Sequence, residues 1–167
     1  GGVLRRMSRT NYLGSIAATF TNGIIFANET LNNYDEGTFT PTLQGTTGLL
    51  GAYAVDTAAG FYTRIGNRCV FAFNLTLTNK GSWTGDAQIY GLPFTSAADA
   101  GSHTACAFGA ITNTTLTGGK FLQSGYVQPN NTFIALAEYA SAGALAALPM
   151  ANVSNTSSWF VSGHYKI

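Results

Sequence analysis

The sequence contains few charged residues and no long apolar run. Only 9% of its 167 residues are charged, and the formal net charge is +1, whereas roughly 25% of an average soluble domain is charged. With so little positive charge the chain cannot neutralise many phosphates, so we expect no nucleic-acid partner. The longest apolar-leaning stretch, residues 140–151, is interrupted by Gly143 and Pro149. It is shorter than the roughly 20 residues of a spanning helix, so we expect no membrane insertion.

Cysteine and histidine are also scarce, and this restricts metal and disulfide chemistry. Cys69 and Cys106 are too few for a disulfide framework. Each shares strand phase with nearby phenylalanines, so we interpret both as buried apolar thiols, with a bridge between them as the lesser alternative. His103 and His164 complete no zinc-like spacing with them. We therefore expect no cofactor and no His or Cys metal site, while a cation held by loop carbonyls and an Asp stays open.

Catalytic patterns are likewise missing. No Gly-x-Ser-x-Gly elbow is present, and the carboxylates do not suggest the spaced pair that a glycosidase requires. Asp35 and Glu36 are adjacent, so on a strand they point to opposite faces; we interpret them as a solvated turn at a domain boundary. Four further acids are scattered along the chain: Asp56, Asp86, Asp99 and Glu138. We predict that the domain is not an enzyme.

Alternation of apolar and polar residues predicts an all-β fold. Eight stretches alternate with period two, and none of the sequence has a convincing amphipathic helical pattern. The pair Gly66-Asn67 between two of these stretches predicts a two-residue hairpin. We expect an antiparallel two-sheet sandwich of the jelly-roll type. The predicted strands are residues 38–43, 61–65, 68–78, 87–92, 103–112, 121–127, 132–139 and 157–167.

The first 33 residues differ from the rest. Arg5, Arg6 and Arg9 cluster at the start, and residues 15–27 are small and weakly patterned. Alone, this run has too little apolar surface to offset about 1–2 kcal/mol of ordering entropy per residue. We expect residues 1–33 to be an extended stalk segment packed in a trimer, and 34–167 to be a β-sandwich knob. The start at Gly-Gly suggests a fragment or a processed product.

Four motifs in order then resemble a known family. An acidic-Gly-Thr-Phe-Thr-Pro opening occupies residues 35–41, and the run "GFYTRIGN" occupies residues 60–67. "GLPF" follows at 91–94, and "SGHY" lies in the last strand at 162–165. Together they resemble the carboxy-terminal domain of bacteriophage and prophage tail fibres and tailspikes. The resemblance covers residues 34–94 well and 97–150 poorly.

This resemblance implies a homotrimeric knob at the distal end of a virion appendage, outside the cell. It implies a bacterial surface polysaccharide or an outer-membrane receptor as ligand, and attachment to other tail proteins through the N-terminal side. Two alternatives stay open: a trimerisation and folding cap for an upstream fibre, and a polysaccharide-cleaving domain. The nearly uncharged surface independently favours an oligomer.

Glycan binding requires exposed aromatic faces and neutral hydrogen-bonding groups. Trp83 is the first candidate, because it stands in a short polar stretch that we interpret as a tight loop. The family often has a small residue there, so no role is carried over, and the ring could instead fold onto the sandwich or into a subunit interface. We predict that Trp83→Ala reduces host adsorption without changing thermal melting. The other candidates are Tyr53, Tyr126, Asp86 and Asn130.

Overall fold

The structure, a computed structural model, describes residues 24–26, 29–31, 33–140 and 143–167. The chain divides into two units, Gly1–Asn32 and Asn33–Ile167. In the first unit, β1 (Ile24–Phe26) and β2 (Glu29–Leu31) pair as an antiparallel ribbon. The rest of the predicted stalk lies outside the described residues, and its packing in a trimer stays a prediction.

The second unit is a sandwich of two antiparallel sheets, as predicted. The five-stranded sheet has the order β3-β5-β6-β13-β9. Its strands are β3 (Tyr34–Phe39), β5 (Ala54–Ile65), β6 (Arg68–Asn79), β13 (Val153–Lys166) and β9 (Ala107–Thr114).

The six-stranded sheet has the order β4-β7-β11-β10-β8, and β12 pairs with β11 beyond the end of β7. Single-turn 3-10 helices occupy Ala100–Ser102 and Met150–Asn152. Within the described ranges, no helix has the length and apolar character needed to cross a membrane. The strands are β4 (Thr42–Leu49), β7 (Ser82–Tyr90), β11 (Phe133–Ala140), β10 (Lys120–Val127), β8 (Thr104–Ala105) and β12 (Leu145–Ala147).

The core lies between the sheets and follows the predicted alternation. In β6, Phe71, Phe73, Leu75 and Leu77 are buried, and the residues between them are not. The inner face of the six-stranded sheet packs against these residues with its own buried apolar side chains. Most strands bury only alternate side chains, so the outer faces of the sheets lie largely outside the core. Strand β11 is an exception, because its residues 134–138 are all buried. Core residues from the other strands include Leu43, Ile89, Ile134, Leu136, Trp159, Val161 and Tyr165.

The hairpin predicted at Gly66-Asn67 is confirmed. Ile65 is the partner of Arg68, so two residues connect β5 to β6. Gly66 has φ of 61°, and Asn67 is not among the residues with positive φ. A positive φ at the first central residue alone is the type II′ pattern, whose twist matches that of the flanking strands.

Two predicted strands are wrong, because each is a pair of strands that changes sheet. Within residues 38–43, β3 ends at Phe39 in one sheet and β4 begins at Thr42 in the other, on either side of Pro41. Within residues 103–112, Cys106 separates β8 from β9 in the same way. Both sheets bury their inner faces in the same core. The alternation of apolar and polar residues therefore continues across the point where the chain changes sheet, and the sequence pattern does not reveal that point.

Asp35 and Glu36 lie within β3 and do not form the predicted boundary turn. Tyr62 donates its hydroxyl hydrogen to the Asp35 carboxylate (3.1 Å), and Tyr34 donates to the Glu36 carboxylate (2.8 Å). The hydrogen bond to Glu36 raises the pKa of Tyr34. Neighbouring strand residues point to opposite faces, so the two carboxylates are separated as expected for strand residues.

The cysteines are both free, so the alternative of a bridge between them is wrong. Cys69 is buried in the core, and Cys106 is half-buried at the second sheet corner. Burial raises the pKa of both thiols. Neither environment favours a reactive thiolate.

Candidate functional site

A row of outward-facing residues crosses the six-stranded sheet. Gln44, Gln88, Ala135, Tyr126 and Ala105 are successive cross-strand partners from β4 to β8. Their chain neighbours Leu43, Ile89, Ile134 and Val127 are buried in the core. By strand alternation the row therefore lies on the outer face of the sheet.

Two adjoining depressions lie along this row, and we call them together the trough. One has a volume of about 360 Å³ and the other about 90 Å³, and they share Tyr126 and Leu145. Alanines of β11 and β12 line the smaller depression. Their side chains are shorter than those of the residues around them, which leaves space there. Side chains that line the trough include His103, Ser124, Tyr126, Tyr139 and Leu145 in the larger part, and Asp86, Gln88, Gln128, Ala135, Ala137 and Ala147 in the smaller.

A third depression, the Trp83 cleft, adjoins the trough at Asp86. Its volume is about 410 Å³. The strand β7 and the 3-10 turn at Met150–Asn152 position its walls. Thus Trp83, Asp86 and Tyr126, which are distant in sequence, line one connected series of depressions. The cleft is lined by Lys80, Trp83, Thr84, Gly85, Asp86, Pro149, Met150 and Ala151.

Trp83 lies in strand β7 opposite Gly48, and the interpretation of its surroundings as a tight loop is wrong. Its ring is half-buried and packs against the core cluster. Its indole N–H is buried and has no hydrogen-bond partner among the described residues. The structure therefore agrees with the alternative in which the ring folds onto the sandwich, although one side still lines the cleft.

Tyr126 stands where the two parts of the trough meet. Its ring is half-buried and lies 5.9 Å from the His103 ring, with 37° between their planes. Gln128 donates an amide hydrogen to the Tyr126 hydroxyl at 3.4 Å. Tyr126 therefore combines an apolar ring surface with polar neighbours, which is the combination that binds sugar rings.

The charges that line the trough and the cleft are few. Asp86 is exposed, and its backbone N–H donates to the Thr46 hydroxyl at 2.9 Å. The Lys80 ammonium donates to the carbonyl oxygens of Met150 (2.9 Å) and Val153 (2.7 Å). That lysine is thus engaged with the backbone. The lining is otherwise neutral apart from His103.

Tyr53 and Asn130 are not among the lining residues of these depressions. The Tyr53 hydroxyl accepts a hydrogen bond from the Leu43 backbone N–H at 3.1 Å, and burial raises the pKa of Tyr53. Asn130 has φ of 56°, and its N–H contacts the carbonyls of Ser96 and Ala97 at 3.2 Å each. Both residues have clear structural roles, one at a sheet edge and one in a left-handed turn conformation.

Several trough residues have no recognisable signal in the sequence. Gln88, Tyr139 and Leu145 each stand on an outward-facing position of a strand, and Gln128 directly follows β10. Nothing local in the sequence marks these residues as neighbours. Alternation identifies a residue as outward-facing, but it does not identify its cross-strand partner. That partner is set by the pairing of β7, β10, β11 and β12.

The chemistry available here is hydrogen bonding and stacking. Asp86 is the one carboxylate among the described residues that line the three depressions. In the described part of the chain, no cluster of three His, Cys, Asp or Glu side chains could hold a metal ion. The arrangement is suited to an uncharged ligand that offers both hydroxyl groups and apolar patches.

No protein-family model and no curated protein matches the sequence. Among solved structures, the crystal structure of the Dettilon tailspike protein (gp208) is similar, with a TM-score of 0.64 at 20% sequence identity. The similarity covers 80% of this chain and 24% of that chain, so the chain spans about a quarter of the tailspike's length. It shares its fold with part of a phage tailspike.

Proposed function

We propose that this chain is a receptor-binding domain of a phage tail fibre or tailspike, and that it binds a bacterial surface polysaccharide along the trough. The observation that carries the proposal is the placement of Tyr126 beside glutamines and alanines on a nearly uncharged outer face. The shared fold with part of a tailspike supports the location in a virion tail. Attachment to other tail proteins through the N-terminal side belongs to the same proposal.

The charge of the trough favours a neutral polysaccharide over an anionic one. Among the described lining residues the trough has one carboxylate, Asp86, which repels uronic or sialic acids. The ammonium of Lys80, which lines the adjoining cleft, already donates to two carbonyls. The Gln88 oxygen already accepts from the Tyr90 hydroxyl at 2.9 Å, and the Gln128 amide already donates to Tyr126. Each amide keeps further donor and acceptor capacity, so both can still bind neutral hydroxyls. A capsule rich in carboxylates is therefore a poor ligand by this reasoning.

Binding without cleavage is part of the proposal. Glycosidases need two carboxyl groups within about 5–9.5 Å of each other across the scissile bond. Asp86 has no second carboxylate beside it among the described lining residues, and Glu138 is buried with a carboxylate oxygen accepting from the Thr117 N–H. Incubating the protein with polysaccharides that it binds and measuring new reducing ends tests this point, and release of reducing ends would contradict it.

The experiment for binding compares two aromatic residues on the same strand. Labelled wild-type protein is applied to an array of purified bacterial O-polysaccharides and capsules, together with Tyr126→Ala and Phe121→Ala. Phe121 also lies in β10 and is 65% exposed, but it does not line the trough. An aromatic contact contributes about 0.5–1.5 kcal/mol, so Tyr126→Ala should weaken binding by up to about tenfold.

Equal binding by Tyr126→Ala and wild type would remove the trough as the site. Equal loss in both variants would indicate general damage, which melting curves of both proteins would detect. Binding only to anionic capsules would contradict the proposal that the ligand is neutral. Whether the trough is the binding site would then be decided by comparing Tyr126→Ala with Phe121→Ala on those capsules.

The second candidate function is a trimerisation and folding cap for an upstream fibre. The apolar outer face of the five-stranded sheet favours it, because exposed Phe61, Val70 and Phe160 stand on that face. Deleting residues 34–167 from the parent protein separates the two functions. Loss of the assembled trimer supports the cap, whereas intact trimers that fail to adsorb support receptor binding.

A further inference from the structure

The smaller depression of the trough forms where strand β11 changes its neighbour. Strand β7 pairs with β11 as far as Ala135, and β12 pairs with the same edge from Ala137 onwards. Between them, the Leu148 N–H donates to the Leu136 carbonyl at 3.0 Å, and the Leu148 carbonyl accepts from the Ala87 N–H at 2.8 Å. The depression lies on the outer side of this junction, so the strand pairing itself creates it.

The smaller depression has room for a substituent of a sugar but not for a whole sugar ring. Sites that enclose complete small ligands have volumes of about 300–1,000 Å³, and a water molecule occupies about 30 Å³ of liquid. A depression of about 90 Å³ therefore holds a group of a few heavy atoms. Tyr126 lines both parts of the trough, so a ring stacked on Tyr126 lies beside the depression and can direct a substituent into it.

The walls of the smaller depression are apolar on one side and polar on the other. Ala135, Ala137 and Ala147 contribute methyl groups from β11 and β12. Gln88 and Asp86 contribute polar groups from β7. A substituent that fills the depression and satisfies its walls must therefore offer a methyl surface together with hydrogen-bonding atoms.

The existing hydrogen bond at Gln88 determines which of its atoms serve a ligand. Its side-chain oxygen accepts from the Tyr90 hydroxyl at 2.9 Å, which orients the amide and leaves its N–H groups as donors. The exposed Asp86 carboxylate can only accept. The polar wall therefore offers a donor from one residue and an acceptor from the other.

An acetamido group fits these walls better than other common substituents of sugars. Its methyl packs against the alanines, its carbonyl oxygen accepts from Gln88, and its N–H donates to Asp86. A hydroxyl would leave the alanine methyl groups without an apolar contact. The methyl of a deoxy sugar would leave Gln88 and Asp86 without partners, which costs binding free energy. A carboxylate would be repelled by Asp86.

We infer that the smaller depression is a subsite for the N-acetyl group of an amino sugar, so that the polysaccharide bound along the trough contains N-acetylhexosamine. The inference rests on the proposed polysaccharide binding and names the sugar at the centre of the trough. Tyr126 offers a ring contact that all sugars share, whereas Gln88 and the alanines select the substituent. Loss of the subsite should therefore remove the preference for acetylated sugars without abolishing binding.

The first test changes the ligand. Each polysaccharide that the wild type binds is treated with alkali to remove its N-acetyl groups, and a portion is then re-acetylated on its amines with acetic anhydride. Removal should weaken binding at least about tenfold, because a methyl contact and hydrogen bonds are lost, and re-acetylation should restore it. Benzoylation of the same amines should not restore it, because the phenyl ring exceeds the depression. Physiological salt weakens the attraction of the free ammonium groups to exposed Asp86.

The second test changes the depression. Ala147→Leu places a larger side chain in it, and Gln88→Met removes the N–H donors at similar size. Ala107→Leu is the control, because Ala107 is exposed on the five-stranded sheet and does not line the trough. In both trough variants the acetylated and deacetylated polysaccharides should bind about equally, whereas the control should keep the wild-type difference. General damage to the fold would weaken both ligands together and would not remove the difference between them.

Two results would overturn the inference and leave the proposed function in place. One is binding that depends on Tyr126 and is as strong after deacetylation as before it. The other is a preference for the acetylated polysaccharide that Ala147→Leu and Gln88→Met leave unchanged. Binding to no polysaccharide, or equal binding by Tyr126→Ala and wild type, would instead contradict the proposed function, and the inference with it.

Discussion

The hydroxyl of Tyr165 is hydrogen-bonded to both backbone groups of Phe94. It donates to the Phe94 carbonyl at 3.0 Å and accepts from the Phe94 N–H at 3.1 Å. Tyr165 is fully buried in the last strand, and Phe94 belongs to the loop that follows β7. The side chain therefore fixes that loop to the five-stranded sheet, at the end of the sandwich where burial raises the pKa of Tyr165.

Tyr165→Phe should lower the free energy of unfolding by about 1–3 kcal/mol, because both Phe94 groups lose their partner away from water. Urea unfolding followed by fluorescence measures the change. Tyr34→Phe is the matched control, since it removes an exposed hydroxyl that donates to exposed Glu36. We expect the control to unfold as wild type does, and equal midpoints for all three proteins would contradict the role of Tyr165.

Gly66→Ala should destabilise the fold by about 1–2 kcal/mol, the cost of placing a side chain in the left-handed region. Gly66 has φ of 61° in the β5–β6 turn. Gly101→Ala serves as control, because Gly101 is not among the glycines with positive φ and an added Cβ there would have no neighbour within 4 Å. Chemical denaturation of both variants should separate them clearly, and similar midpoints would argue against the type II′ geometry.

Trp83→Ala should lower stability as well as any receptor binding. A fully buried Trp→Ala change costs about 3–5 kcal/mol, so we expect about 2–3 kcal/mol for this half-buried ring. From the sequence we expected Trp83→Ala to leave thermal melting unchanged. From the structure we expect it to lower the melting temperature. Calorimetry of Trp83→Ala beside Phe121→Ala measures the difference. If Trp83→Ala has the same melting temperature as wild type, the ring contributes little to the stability of the core. That result would again favour a role for Trp83 in receptor binding.

Alkaline pH should destabilise the protein in part through Cys106. Burial raises the pKa of the Cys106 thiol from 9.0 to about 12. Between those values the unfolded chain loses this proton and the folded protein keeps it, so stability falls as pH rises. One such group contributes a slope of about 1.4 kcal/mol per pH unit. Unfolding free energies measured from pH 8 to 11 should fall less steeply for Cys106→Ala, and an unchanged slope would contradict this assignment.

The degree to which the sequence predicted the fold varied between elements. Alternation in β6 and β13 correctly identified which side chains are buried, because that pattern depends only on the strand's own two faces. The hairpin was predictable because Gly66-Asn67 carries its turn geometry locally. The strands across Pro41 and Cys106 were wrongly joined, because both sheets bury their inner faces in one core and the pattern does not change at the corner.

The candidate site was predictable only in part. Tyr126 and Asp86 were selected as a possible ring and a possible polar group, and the structure places both on the trough. Tyr53 and Asn130 were selected for the same reasons, yet the Tyr53 hydroxyl binds the Leu43 backbone and Asn130 forms a turn. Composition identifies side chains suited to sugar binding, but not which of them the fold already uses.

The sequence by itself therefore determined the all-β class, the burial of alternate residues and the β5–β6 turn, since each depends on interactions within a few residues. Only the tertiary structure decided where the chain changes sheet and which outward-facing residues become neighbours. Gln88, Ala135 and Tyr126 form one row because β7, β11 and β10 pair in a particular register. Register depends on contacts between distant strands, and local periodicity carries no record of them.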